Sequence, residues 1–401
     1  MATPSRQMVV VSLVYSSTAV VWCSYALLSV ALPFRFEALH LSVVQYGIAI
    51  AVFALGMLFT ESVWGLLAFR MGDPRTVLGL GVVVALLYLA IGFATTFVAL
   101  TVLLGFLGAL SIFPVPLFRW MAAMAGGPGT SGAGTGRYGL FFGVGTAIGA
   151  ALGAFLYVSI GFESLVFVIV ATYAVGLGLM ELLPWKEVPL PRSEPGTLSQ
   201  VRRVLRAPFL WVAGLVVLDF VAYTLISNFL QFYSVSTFHG TPAGAGYVIG
   251  LARVTLVVAG FLLGASTDRY GPIRTVPMGF LLLTAGTLGT LFSTSYAEMV
   301  AATVLFAVGS GWLSSALLPM ALATVPPALQ GTAVGVFGSF EDFGLLVGPV
   351  LISTVYSAYG VSSAFLLVVA VSLFGVFFAA MLTSGRPKRI AQAWDRRREA
   401  A

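Results

Sequence analysis

The sequence predicts an all-α membrane protein: twelve transmembrane helices in two pseudo-symmetric six-helix bundles. Three observations lead there. Hydrophobic residues make up 59% of the 401 positions and charged residues 8%, against about 25% charged in an ordinary globular domain. The apolar residues fall into twelve runs, roughly 8–32, 43–68, 77–94, 97–118, 138–160, 163–183, 208–233, 243–264, 273–293, 297–322, 331–357 and 361–382. A helix needs about 20 such residues to cross the hydrocarbon layer. The third observation is a repeated charged turn. Gly65, Arg70, Gly72, Arg75, Thr76 and Val77 recur as Gly264, Arg269, Gly271, Arg274, Thr275 and Val276, each 199 positions later. An offset of half the chain implies two copies of one unit.

The repeat sets the domain organisation: an N-terminal bundle over 1–183, a linker over 184–207, a C-terminal bundle over 208–385 and a basic tail over 386–401. The linker carries Pro184, Pro189, Pro191 and Pro195, too short a stretch for a soluble domain. Within it, Leu198 to Leu205 is amphipathic and suited to the membrane surface. The first run is too long for a signal-peptide core and is expected to stay as a helix. An outer-membrane barrel would instead show short alternating segments.

The net charge of +6 does not point to nucleic acid, because its distribution follows the membrane. With the N-terminus inside, every one of the 20 basic residues except Arg35 and Arg253 falls on the cytoplasmic side. The positive-inside rule then makes both termini cytoplasmic. Cys23 stands alone, so no internal disulfide forms, and two His offer no metal cluster. No nucleophile constellation, cofactor site or nucleotide domain is present, so an enzyme is not expected. Gly134-x-Gly136-x-x-Gly139 has the form of a dinucleotide fingerprint. It lies between two spans with no βαβ unit around it, and reads as a flexible inner turn.

The repeated turn resembles the G-x-L-a-D-R-x-G-R-x loop of the major facilitator superfamily, which joins helices two and three of each six-helix half. The second copy fits, with Asp268 in the acidic position; the first departs, with Phe69 there and Asp73 at a usually basic position. The resemblance implies a secondary transporter of the drug- or solute-efflux type, with Gly65, Arg70, Gly72, Arg75, Gly264, Asp268, Arg269, Gly271 and Arg274 in its gating loops. It also implies that spans one, four, seven and ten line a central cavity. Family antiporters carry R-x-x-x-G early in span four, but Leu104 takes the Arg position before Gly108. Their G-x-x-x-G-P signature belongs on span five. Here it is found on span eleven, as Gly344 to Pro349, while span five has Gly145, Gly149, Gly153 and no Pro. Such spacings bring helices into backbone contact.

Along the chain, span one carries Tyr15, Thr18, Trp22, Tyr25 and Ser29 on one face at about 100° per residue. These side chains either meet a solute or hydrogen-bond between helices. Span seven carries Phe220, Thr224, Ser227 and Gln231 on one face with Asn228 beside it. Tyr15, Trp22, Tyr25, Phe220, Thr224, Asn228 and Gln231 are the cavity candidates. Ionisable residues at bilayer depth are costly, about 2.5 kcal/mol or more each, and mark function. Asp219, Arg253, Glu341 and Asp342 are the four at mid-span; they are the proton-coupling candidates, and a structural cluster that holds spans seven, eight and eleven together is the alternative. Asp219 is expected to pair with Arg253, leaving Glu341 and Asp342 to exchange protons.

Together these features describe a multi-pass carrier of the cytoplasmic membrane. It is expected to be monomeric and to move a small amphipathic organic solute by alternating access, as a proton-coupled exporter. An uncoupled facilitator or lipid flippase of the same fold is the alternative, and a non-transporting sensor a further one. Lipid, solute and protons are its expected partners. The orientation has a direct check. In a chain whose Cys23 is replaced by Ser, an impermeant thiol reagent added to intact cells should label Cys at Ser295 but not at Gly385.

Overall fold

The computed structural model describes residues 4–68, 74–111, 113, 131–183, 198–326 and 329–384. The elements are α1 Pro4–Ala38, α2 Val43–Ala68, α3 Pro74–Phe93, α4 Phe97–Ser111, α5 Ser131–Glu181 and α6 Leu198–Val204. They continue with α7 Ala207–Phe238, α8 Pro242–Tyr270, α9 Pro272–Phe292, α10 Tyr296–Ala323, α11 Gln330–Tyr359 and α12 Val361–Ser384. No strand occurs among the described residues. Lipid supplies no hydrogen-bond partner for the backbone, so an apolar chain of this length satisfies its amides as helices.

Each of the twelve runs coincides, over its described residues, with a helix. α5 is long enough for spans five and six, and it breaks at Gly161, where φ is 78° and ψ 169°. α3 and α4 are the short apolar helices of the set. α1 reaches 35 residues, beyond the 8–32 read from hydropathy, and takes Pro33 into its last turns. α7 likewise runs on to Phe238 rather than stopping near 233. Polar residues at span ends keep their helical hydrogen bonds in the interfacial layer, where hydropathy gives no signal. Gly134, Gly136 and Gly139, expected in a flexible turn, lie inside helix α5.

The second repeated turn is tighter than expected. α8 continues through Asp268 and Arg269 to Tyr270, and α9 starts at Pro272. Only Gly271 lies between, at φ 81°. A left-handed residue followed by Pro at the first helical position is a compact way to end one helix and begin the next. Arg269 and Arg274 are exposed. In the first copy, Arg70 and Gly72 fall outside the described residues, while Gly65 and Arg75 lie at the ends of α2 and α3. Pro114, Pro116, Arg119, residues 184–197 and the tail also fall outside them. α6 covers the amphipathic part of the linker, with Val204 buried and Arg202 and Arg203 exposed.

Two compact units form: Met1–Pro195 with Ser234–Val254, and Gly196–Tyr233 with Thr255–Ala401. In the first, α1 packs along α5, α2 on α4, and α3 on both α4 and α5. In the second, α7 packs on α11, and α9 on α10 and α12.

The 199-residue repeat is visible in this packing. A Cβ added at Gly145 or Gly149 would strike the Ala19 or Cys23 carbonyl of α1. At Gly344 or Gly348, each 199 residues later, it would strike Val217 and Phe220, or Thr224 and Val221, of α7. The break after span five repeats as well: Gly161 corresponds to Gly360, which joins α11 to α12 with φ 85° and ψ 172°. Gly145→Ala should therefore push α5 off α1 at a cost of about 1–3 kcal/mol. It should lower the melting midpoint of purified protein, as should Gly344→Ala, whereas Gly79→Ala, with nothing within 4 Å, should leave it unchanged.

Candidate functional site

The first unit holds a buried cation. Arg253 is 9% exposed on α8. Its Nη1 donates to the Thr146 carbonyl of α5 at 3.3 Å, and its Nη2 to the Ser29 hydroxyl of α1 at 3.2 Å. Ser29 passes its own proton to the Ala26 carbonyl at 3.0 Å, which leaves the oxygen free to accept from the guanidinium. The approach is close because Gly250 meets the Ala147 carbonyl and Ala151 without a side chain. Tyr46 of α2, fully buried, is near enough to feel the Arg253 charge, and Tyr25 in turn acts on Tyr46.

An aromatic wall continues along α1 from this point. Tyr25 stacks on Phe53 at 5.6 Å, and Trp22 meets Tyr25 edge-on at 5.6 Å and Phe142 at 4.6 Å. Tyr15 stacks on Phe141 at 5.0 Å. The expected α1 stripe is therefore a mixture. Trp22 and Tyr25 are partly exposed, whereas Tyr15 is buried and Thr18 donates to Val14 O of its own helix at 2.7 Å. Thr18 is thus used by its own backbone. Arg35 pairs with Glu163 at 3.0 Å and lies over the Phe162 ring.

The second unit holds the acids. Asp219, 2% exposed on α7, accepts from the Ser310 hydroxyl of α10 at 3.2 Å. Glu341 of α11 is near enough for its charge to act on Asp219, and Asp342 beside it is 4% exposed. The contacts of Gly344 and Gly348 turn that face of α11 onto α7, which brings Glu341 toward Asp219. Asp219 and Arg253, expected as a pair, fall in different units, and within its own unit each has neutral partners.

The polar face of α7 also differs from its sequence reading. Residues Leu225–Phe229 form a π turn in the middle of the helix. A π turn holds one residue more than an α turn, so residues beyond it lag by about 100°. Gln231 therefore leaves the face shared by Phe220 and Thr224. It is fully buried, and neither atom of its amide has a hydrogen-bond partner among the described residues. Asn228 stays partly exposed and donates to Ser227 at 2.9 Å, while Thr224 donates to Phe220 O at 2.9 Å. Sequence reasoning missed Tyr46, Thr146 and Ser310. A tyrosine within an otherwise apolar span was the available signal for Tyr46; Ser310, in a Gly-Ser-Gly stretch, looks like packing alone.

The chain matches the family model described as Major Facilitator Superfamily over residues 14–254 and 212–400. Among curated relatives, an uncharacterized MFS-type transporter of Mycobacterium tuberculosis is 29% identical over 148 residues, 35% of this chain. The chain spans about a quarter of that relative's length (26%). The multidrug resistance protein MdtG of Klebsiella pneumoniae is 25% identical over 366 residues, covering 86% of this chain and 85% of MdtG. Among solved structures, a bacterial homolog of the human lysosomal transporter Spinster, inward-facing and occupied, superposes with a TM-score of 0.80 at 15% identity. It covers 95% of this chain and 98% of that one. At such identity the likeness concerns the fold.

The Asp219–Ser310 contact yields a test of stability. Asn at 219 keeps an oxygen for the Ser310 hydroxyl and removes a buried charge. Asp219→Asn should leave the melting midpoint unchanged or raise it. Ser310→Ala takes the donor from a buried carboxylate and should destabilise by about 1–3 kcal/mol. A matching loss in both variants would show that a counter-cation, and not Ser310, sustains Asp219.

Proposed function

Because the chain belongs to the major facilitator superfamily, we propose that it exports a small amphipathic organic solute across the cytoplasmic membrane and draws on the proton gradient to do so. The family makes it a multi-pass membrane transporter and not an enzyme. The resemblance to MdtG supports efflux of an organic compound. The observation that carries proton coupling is the acid group of the second unit: Asp219, Glu341 and Asp342 on two packed helices at mid-span. A carboxylate in a medium of low dielectric keeps its charge only while a donor, a cation or water sustains it. Like charges held this close favour sharing a proton, and the adjacent acids of α11 would take it up and release it as solvent access alternates.

The aromatic wall of Trp22 and Tyr25 suits a solute with a flat apolar body, since an aromatic ring binds by area and by its face. Alternating access would be a rocking of the two halves, 1–183 and 208–385, with both termini cytoplasmic. The protein would act as a monomer, since each half supplies its own helices to the path.

Reconstituted protein offers the test. Solute should accumulate in proteoliposomes faster with an outward-directed gradient of protons, acid inside, than without one. Glu341→Gln or Asp342→Asn should abolish the difference while leaving solute-induced thermal stabilisation measurable. Equal rates with and without the gradient in wild type would make the carrier an uncoupled facilitator. Normal coupling in both variants would remove the α11 acids from the mechanism.

A further inference from the structure

Arg253 is a guanidinium at the level where charge is most costly, and a guanidinium stays protonated in proteins. Its hydrogen bonds go to the Thr146 carbonyl and the Ser29 hydroxyl, both neutral. No carboxylate pairs with it among the described residues of its unit. The fork has five N–H donors, and Thr146 O and Ser29 Oγ engage one on each of two nitrogens. An apolar or neutral residue would pack as well between α1, α5 and α8 without the desolvation of a cation. The partly exposed aromatic surface of Trp22 and Tyr25 lies on the same helix as Ser29.

We propose that Arg253 anchors an anionic group on the transported solute, which is an aromatic organic anion: a carboxylate or sulfonate on a flat apolar body. This deepens the transporter reading and rests on it for the word transported. The planar fork fits a carboxylate with two parallel hydrogen bonds, which a lysine cannot reproduce. Ser29 and Thr146 hold the fork in place in the empty state. Tyr25 and Trp22 take the ring. The anion supplies a counter-charge that no described residue of the unit provides, so affinity depends on the negative group more than on ring size.

Three probes with one ring separate the parts of this claim: 1-naphthaleneacetate, 1-naphthaleneacetamide and 1-naphthalenemethylamine. Purified protein in neutral detergent is titrated with each, and the shift in melting midpoint gives the affinity. The acid should bind wild type at least tenfold more tightly than the amide, and the amine should bind least. Arg253→Gln should bring the acid down to the affinity of the amide. Should Arg253→Gln fail to fold, Arg253→Lys carries the test: the acid should weaken several-fold with the amide unchanged. Acid and amide binding wild type alike would overturn the proposal, as would an acid preference that survives in Arg253→Gln. If phosphatidylglycerol added to neutral-lipid nanodiscs gives the Arg253-dependent stabilisation and the naphthalene acid does not, the occupant is a lipid and the solute proposal falls. Counterflow in proteoliposomes keeps the two readings apart. Equal transport of acid and amide retains the carrier and removes the anion site; Arg253-dependent binding with no counterflow of any probe retains the anion site and removes the carrier.

Discussion

Water is missing from the hydrocarbon layer, and the rest of this structure follows from that. Every backbone amide must be satisfied within its own segment, so the described chain is helix. The same constraint reaches the side chains. Thr284, Thr287 and Thr290 of α9 each donate to the carbonyl four residues earlier, at 2.8, 2.8 and 2.9 Å. Hydroxyls treated this way cost little to bury and cement nothing between helices. What brings helices together is the absence of a side chain, as at Gly145 and Gly149 against α1. Large apolar residues face the other way: Phe59, Phe261 and Tyr359 are 69%, 73% and 76% exposed, where lipid tails would meet them.

Against that background two mid-span ionisable groups are held alike: Arg253 in the first unit by a carbonyl and a hydroxyl, and Asp219 in the second by a hydroxyl. An internal ion pair would satisfy both charges permanently and leave neither able to respond. Groups held by neutral partners remain available to a proton or to a charged ligand. The distinction between a structural and a working charge therefore lies in the partner's charge and not in the depth of burial.

Sequence reasoning reached the architecture because that level depends on composition and repetition. The twelve runs and the 199-residue offset are one-dimensional properties, and the structure extends the offset to Gly161 and Gly360, whose shared positive φ no residue pattern announced. Helix ends were less legible, since hydropathy falls before the helix does, as at Phe238. The partners that matter, Ser310 and Thr146, come from helices far along the chain, and a carbonyl acceptor has no sequence signature. The face of α7 failed differently. It assumed a uniform 3.6 residues per turn, and Leu225–Phe229 do not obey it.

That π turn has a consequence for how the chain can change over evolutionary time. It behaves as a one-residue insertion absorbed inside a helix, without a loop to hide it. Deleting any one residue of Leu225–Phe229 would restore the regular winding and swing everything from Leu230 to Phe238 through about 100°. Gln231 would then rejoin the line of Phe220 and Thr224, and the buried aromatic Tyr233, which donates to Thr290 O at 3.0 Å, would lose its place. A single codon thus separates two different presentations of the side chains from Leu230 to Phe238.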